Sequence, residues 1–172
     1  MKRLFLLRHA KSDWGNPTLT DHDRPLNERG RTAITAMGRY MGANDLIPDM
    51  VWCSTATRAR ETFIRWYDEF PETPLVEYRK ILYMAGVERL LSVLSQSEDG
   101  YSSVMMIGHN PGFHQFALMM ASSGEASLRD QLDLKYPTAT LSVIDLNIDR
   151  WRDVSLGGGK LTHFITPKTL TT

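Results

Sequence analysis

Three stretches of this chain carry side chains suited to a tetrahedral anion. Arg8-His9-Ala10 follows the apolar run Leu4-Phe5-Leu6-Leu7, so a strand buried on both faces would deliver a guanidinium and an imidazole at its end. Ser54-Thr55-Ala56-Thr57-Arg58 follows the short run Asp49 to Cys53, and Gly108-His109-Asn110-Pro111-Gly112 follows Val104-Met105-Met106-Ile107. In open parallel sheets, ligands bind outside the carboxyl ends of the strands, so these exits are expected to share one crevice. Arg58 falls in a first helical turn, where unpaired N–H groups and the dipole favour an anion. Arginine gives bidentate hydrogen bonds to phosphate oxygens. Arg8, Arg58, His9 and His109 would therefore surround a tetrahedral dianion.

The elements that must position these groups are legible from spacing. A long polar loop spans Gly15-Asn16-Pro17 and Asp21-His22-Asp23-Arg24-Pro25. Leu26, Ala33, Ile34, Met37, Tyr40 and Met41 lie near helical spacing, with Asn27 as N-cap and Gly42 and Pro48 at the exit. Asp49 to Cys53 reads as a second strand. Ser54 or Thr55 is then expected to cap a helix with the stripe Ala59, Phe63, Trp66, Tyr67 and Phe70, ended by Pro71 and Pro74. Leu75-Val76 reads as a minor strand, and Val87, Leu90, Leu91 and Leu94 outline a third helix. After the strand Val104 to Ile107, a helix follows through Phe113, Phe116, Ala117 and Met120. Thr140 to Leu146 reads as a strand, Trp151 to Leu156 as a last one, and the tail from Pro167 as frayed. Alternating strands and helices predict a three-layer α/β/α sandwich with a mostly parallel central sheet, in a single domain over 1–172.

Composition narrows the function classes. The formal net charge is zero, so no global field favours nucleic acid or acidic membranes. The lone cysteine, Cys53, excludes an intrachain disulfide and fits a reducing compartment. The apolar run before Arg8 is too short for a signal-peptide core or a membrane span, so a cytoplasmic location is expected. Taken singly, each motif has an ordinary reading. Arg8-His9 would be a surface pair at a strand end, Gly108 to Gly112 a turn, and Arg58 and Arg60 a solvated helix face. The coincidence of phosphate-competent groups at separate strand-to-helix junctions favours a site.

The same residues carry a family resemblance. Arg8-His9-Ala10, the helix entrance Leu26-Asn27-Glu28-Arg29-Gly30, Ser54-x-x-x-Arg58-Ala59-x-x-Thr62 and Gly108-His109-Asn110-Pro111 resemble the histidine phosphatase superfamily, which includes the cofactor-dependent phosphoglycerate mutases. Arg8-His9-Ala10-Lys11-Ser12-x-Trp14, Asp21-His22-Asp23-Arg24-Pro25-Leu26, Gly108 to Gly112 and Tyr136-Pro137-Thr138-Ala139 resemble more closely the small SixA-type phosphohistidine phosphatases. The resemblance implies a phosphoglycerate mutase-like fold. It also implies that His9 is the nucleophile of a phosphohistidine intermediate and that Arg8, Arg58 and His109 bind the phosphoryl group. Asn27, Asn110 and Lys11 complete the set as expected substrate-binding residues. The chemistry agrees: an imidazole of ordinary pKa, about 6.5, is a nucleophile near neutral pH. Flanking arginines favour its neutral form and draw charge onto the equatorial oxygens. A protonated His109 would add a third donor. On this reading neither metal nor cofactor is required.

Departures from the pattern bear on the substrate. The mutase-like branch commonly carries a glutamate as general acid, yet Glu77 and Glu88 lie in no recognisable version of that motif, while Leu82-Tyr83-Met84-Ala85 resembles the SixA-type sequence. A leaving imidazole carries its own proton, whereas an alkoxide needs one supplied. Asp21, His22 and Asp23 remain acids in principle, with loop caps and ion pairs as their ordinary reading. The expected substrate is thus phosphohistidine in a protein. Small phosphate esters are the nearer alternative, and a phosphate- or phosphoprotein-binding module without turnover is the farther one. Gly157 to Thr162 has the wrong spacing for a nucleotide loop and reads as a flexible turn. His109 and His114 are misplaced for a metal pair, Cys53 reads as a buried strand residue, and the aromatic stripe after Arg58 reads as core.

Overall fold

The computed structural model describes residues 1–71 and 74–171. Its strands are β1 (Lys2–Arg8), β2 (Met50–Ser54), β3 (Leu75–Arg79), β4 (Ser103–Gly108), β5 (Ala121–Gly124), β6 (Leu141–Leu146) and β7 (Gly159–Ile165). Its helices are α1 (Glu28–Ala43), α2 (Thr57–Tyr67), α3 (Val87–Ser95), α4 (Gly112–Met120), α5 (Ala126–Leu134) and α6 (Pro167–Leu170). The strand order in the one sheet is β3-β2-β4-β1-β6-β7-β5. Every pairing is parallel except those of β6 with β1 and with β7.

Period-2 alternation divides each central strand between two cores. Leu4, Leu6, Trp52, Val104, Met106 and Ile144 face a layer built on α3, α4 and α5. Phe5, Leu7, Val51, Cys53, Met105, Ile107 and Val143 face α1 and α2, with Leu170 of α6 at the margin. Burial on both faces explains why β1 and β4 are continuous apolar runs rather than alternating ones. This is the expected three-layer sandwich with a mostly parallel sheet.

Register brings the strand exits level. Arg8 pairs with Gly108 and Cys53 with Ile107, so the residues that follow β1, β4 and β2 emerge side by side. The backbone N–H of His9 donates to the Gly108 carbonyl at 3.0 Å. α1 is pressed against the segment that follows His9: a Cβ on Gly30 would lie 2.1 Å from the Lys11 carbonyl oxygen, so only glycine allows this approach.

The structure departs from the sequence expectations at several elements. Neither Ser54 nor Thr55 caps α2, because Ala56 occupies the N-cap position and the two hydroxyls bond to histidines. Trp151 to Leu156 is not a strand: Trp151–Asp153 forms a 3₁₀ turn, and β7 is the last strand. Gly157 (φ 77°) does turn, yet from Gly159 the chain is strand, where a Cβ would meet Ile144 Cγ2 at 2.4 Å. β5 and α5 escaped notice because Ala-Ser-Ser-Gly has weak strand propensity and α5 buries only Leu132 fully. The tail is not frayed through Leu170, since Thr166 and Thr169 form a reciprocal capping box.

Candidate active site

His9 lies at the end of β1 and is almost fully buried, 7 % exposed. Its Nδ1 sits 2.7 Å from the Ala10 carbonyl oxygen. A carbonyl only accepts, so the neutral ring carries its proton on Nδ1 and its lone pair on Nε2. Arg58 Nε donates toward that Nε2 at 3.3 Å. Burial pushes the His9 pKa down to about 3, with Arg58, Arg8 and Arg24 adding to the effect.

His109 follows β4, with its ring centroid 5.1 Å from that of His9. Its Nε2 is 2.7 Å from Ser54 Oγ, which also accepts the Ala56 N–H at 3.3 Å. When the Ser54 hydroxyl accepts from Ala56 and donates to Nε2, the His109 proton sits on Nδ1. That Nδ1 is buried and has no hydrogen-bond partner among the described residues. Burial first, then the neighbouring His9, Arg58 and Arg8, lowers its pKa to about 2. His109 is therefore neutral in this arrangement, and any donor it offers is an uncharged N–H.

Arg8 Nη1 donates to the Tyr136 carbonyl at 2.8 Å, and its buried Nε has no partner among the described residues. Asn110 Nδ2 donates to the same carbonyl at 3.0 Å. Tyr136 is fixed in turn through its hydroxyl, 2.7 Å from the Leu6 carbonyl oxygen. Tyr136 thus ties the segment that carries Thr138, a residue bordering the cleft, to β1.

Arg58, in the first turn of α2, is 2 % exposed. Its Nη1 donates to the Asp21 carbonyl and its Nη2 to Asp21 Oδ2 at 3.0 Å. Asp21 also accepts from the Tyr83 hydroxyl, and from Arg24 Nη2 at 2.9 Å. These partners, Tyr83 foremost, hold the Asp21 carboxyl well below the usual carboxylate range. Asp21 is consequently an ionised anchor near neutral pH, unable to act as general acid. It fixes Arg58 so that Nε faces His9. Asp21→Asn is expected to lower kcat/KM about 10- to 100-fold through misplacement of Arg58. Steady-state kinetics across pH would check this: a general-acid role for Asp21 would instead delete the alkaline limb of the profile.

These groups line a cleft of about 370 Å³. Of the residues singled out from sequence, Arg8, His9, Arg58, His109, Asn110 and the exposed Lys11 border it. Asn27 does not: its side chain accepts the Gly30 N–H at 2.9 Å and donates to the Ser12 carbonyl at 3.3 Å, which spends it on capping α1. Sequence reasoning missed Ser12, Trp14, Arg24, Met84 and Thr138 as cleft residues, although all of them stood in motifs already noted. Glu77 pairs with Arg79 at 2.7 Å and Glu88 lies in the first turn of α3, and neither borders the cleft. Cys53 is buried, which pushes its thiol pKa up. His114 Nε2 bonds the Leu132 carbonyl at 2.7 Å, and no group of three or more metal-ligating side chains converges among the described residues.

Comparison with known proteins adds an independent line. The family model described as histidine phosphatase superfamily (branch 1) matches residues 4–79. An uncharacterized protein of Mycobacterium tuberculosis strain H37Rv, Rv1276c, is 32% identical over 164 residues, covering 94% of this chain and 100% of its own. The crystal structure of a SixA protein from Agrobacterium tumefaciens, provisionally assigned as a phosphohistidine phosphatase, is 31% identical, with 96% of this chain and 99% of the other covered at a TM-score of 0.80. A second SixA structure carrying the same provisional assignment, from Nakamurella multipartita, is 28% identical at a TM-score of 0.80, with 96% of both chains covered.

Proposed function

We propose, from the premise that this chain belongs to the histidine phosphatase superfamily and is SixA-like in structure, that it is a phosphatase acting through His9 on phosphohistidine in proteins. The reading takes residues 1–172 as one histidine phosphatase domain. The observation that carries it is the tautomer of His9. With Nδ1 tied to the Ala10 carbonyl, the lone pair on Nε2 faces a cleft bordered by Arg8, Arg58 and His109.

The reaction follows from that geometry. Nε2 of His9 attacks phosphorus, and the P–N bond of the substrate breaks. The displaced imidazole keeps the electron pair and, already protonated on its other nitrogen, departs neutral. Arg8 Nε, the Arg58 guanidinium and the Nδ1–H of His109 are the donors available to the equatorial oxygens, where charge gathers in the transition state. Water then adds to phosphorus, the P–Nε2 electron pair returns to His9, and dihydrogen phosphate is released. No positioned acid is needed for this leaving group, which fits a cleft whose carboxylate, Asp21, is held ionised. Lys11 and Asn110 border the same cleft as candidate contacts to the phosphoprotein.

The substrate class is tested by comparing kcat/KM on a histidine-phosphorylated protein with that on phosphoglycerate and other small esters. A preference for the phosphoprotein of at least about 100-fold, the worth of a leaving group that needs no general acid, is expected. Strong preference for the small esters would overturn the assignment to proteins, and turnover of neither would leave a binding module.

A further inference from the structure

We infer that Trp14 and Met84 form a subsite for the leaving group, built to take a planar aromatic ring such as the imidazole of phosphohistidine. The inference rests on the phosphatase reading above and names what recognises the part of the substrate that departs. The groups around His9 that bind phosphate treat every phosphate monoester alike. Discrimination must come from side chains that meet whatever lies beyond the phosphoryl group. The apolar side chains bordering the cleft are Trp14 and Met84.

Both are held there at a cost. Trp14 is 75% exposed, an unusual state for the largest apolar side chain and one that core packing does not explain. It is nevertheless fixed, because the Arg24 guanidinium lies 3.5 Å from the centroid of its ring. Arg24 is in turn buried and donates to Ser12 Oγ at 2.6 Å and Asp21 Oδ1 at 2.9 Å. The chain of contacts from Trp14 through Arg24 and Asp21 ends at Arg58, which faces His9. The indole is thus indexed to the phosphoryl site through the ionic bonds of Arg24 and Arg58 to Asp21. Met84 is half-exposed and adopts a φ of 51°, a left-handed conformation that a side chain of this size rarely takes. It follows directly on Tyr83, whose ring packs edge-on against His109 at 5.3 Å between centroids.

The chemistry of this pair selects its ligand. An indole face and a thioether are soft, polarizable surfaces that favour an aromatic ring, and the indole also favours a cationic one. A phosphohistidine imidazole protonated on its second nitrogen is flat, aromatic and cationic. Sugar or glycerate hydroxyls would instead require hydrogen-bonding partners that neither side chain offers.

The test compares wild-type protein with Trp14→Ala and Trp14→Phe. Each is assayed on a phosphohistidine peptide and for inhibition by orthovanadate, a tetrahedral anion with no leaving group. Trp14→Ala is expected to lower kcat/KM on the peptide about three- to tenfold, the worth of one aromatic contact, with Trp14→Phe restoring most of the loss. The orthovanadate inhibition constant is expected to stay within about twofold, since no aromatic contact is made to that ion. Unchanged peptide kinetics in Trp14→Ala would overturn the subsite. So would an equal weakening of orthovanadate binding, which would make Trp14 a prop for Arg24. A wild-type enzyme that hydrolyses alkyl esters but leaves the phosphohistidine peptide intact would overturn the parent reading, and is recognised because the loss precedes any substitution.

Discussion

His9→Ala is expected to reduce turnover by about 10⁴-fold or more, because it deletes the bond-forming atom rather than a contact to it. The measurement is a brief incubation with substrate carrying radioactive phosphate, quenched in alkali, where phosphohistidine survives. Label is expected on wild-type protein and absent from His9→Ala. Arg58→Ala retains the nucleophile but loses the donor 3.3 Å from Nε2, so it is expected to label slowly rather than not at all. The alanine at position 9 removes a buried ring and with it the bond to the Ala10 carbonyl, so folding of the variant should be verified by its urea midpoint. A folded His9→Ala protein that turned over at the wild-type rate would place the nucleophile elsewhere and end the proposal.

Stability is expected to fall steeply as the pH drops from 7 to 5, because the two site histidines are buried in the neutral form. Their folded pKa values, about 3 for His9 and about 2 for His109, lie below the ordinary 6.5 of an unfolded chain. Above pH 6.5 both rings are neutral in either state, and their contribution is fully present. Below it the unfolded chain takes up protons that the folded protein refuses, so stability declines progressively toward pH 3. By pH 5 the loss is about 2 kcal/mol for each ring, or up to ~4 kcal/mol for both. The half-buried His163 shifts in the same direction and adds a smaller loss. Asp21 cannot produce this effect, because a lowered carboxyl pKa costs stability only when the pH falls below the ordinary carboxylate range. Urea unfolding at pH 7.5, 6.5 and 5.0 measures the slope, and His109→Gln should remove about half of it. A midpoint that did not move between pH 7.5 and 5.0 would contradict burial of the neutral rings.

The two expectations draw on different layers of information. That His9 and His109 reach one cleft was legible in the sequence, since short apolar runs ending in polar residues mark buried parallel strands, whose carboxyl ends converge. Arg58 was legible for the same reason, as a first-turn residue after the next strand. The charge states of these groups were not. They depend on burial and on partners far away along the chain: Asp21 bridges to Tyr83 and Arg58, and Ser54 to His109. Spacing gives no access to such pairings, which is why Asp21 read as a loop cap with acid potential, and why Asn27, rightly read as the N-cap of α1, also read as a substrate ligand.

Hydrophobic periodicity and strand-exit chemistry, both local, determined the sandwich, the order of its main elements and the residues Arg8, His9, Arg58 and His109 of the site. Only the tertiary structure decided which nitrogen of His9 is free and why Asp21 stays ionised. It alone keeps Asn27 off the cleft and stands Trp14 at its rim. The physical reason is common to all of these. Proton positions and pKa values are set by desolvation and by hydrogen bonds between segments that only the folded sheet brings together.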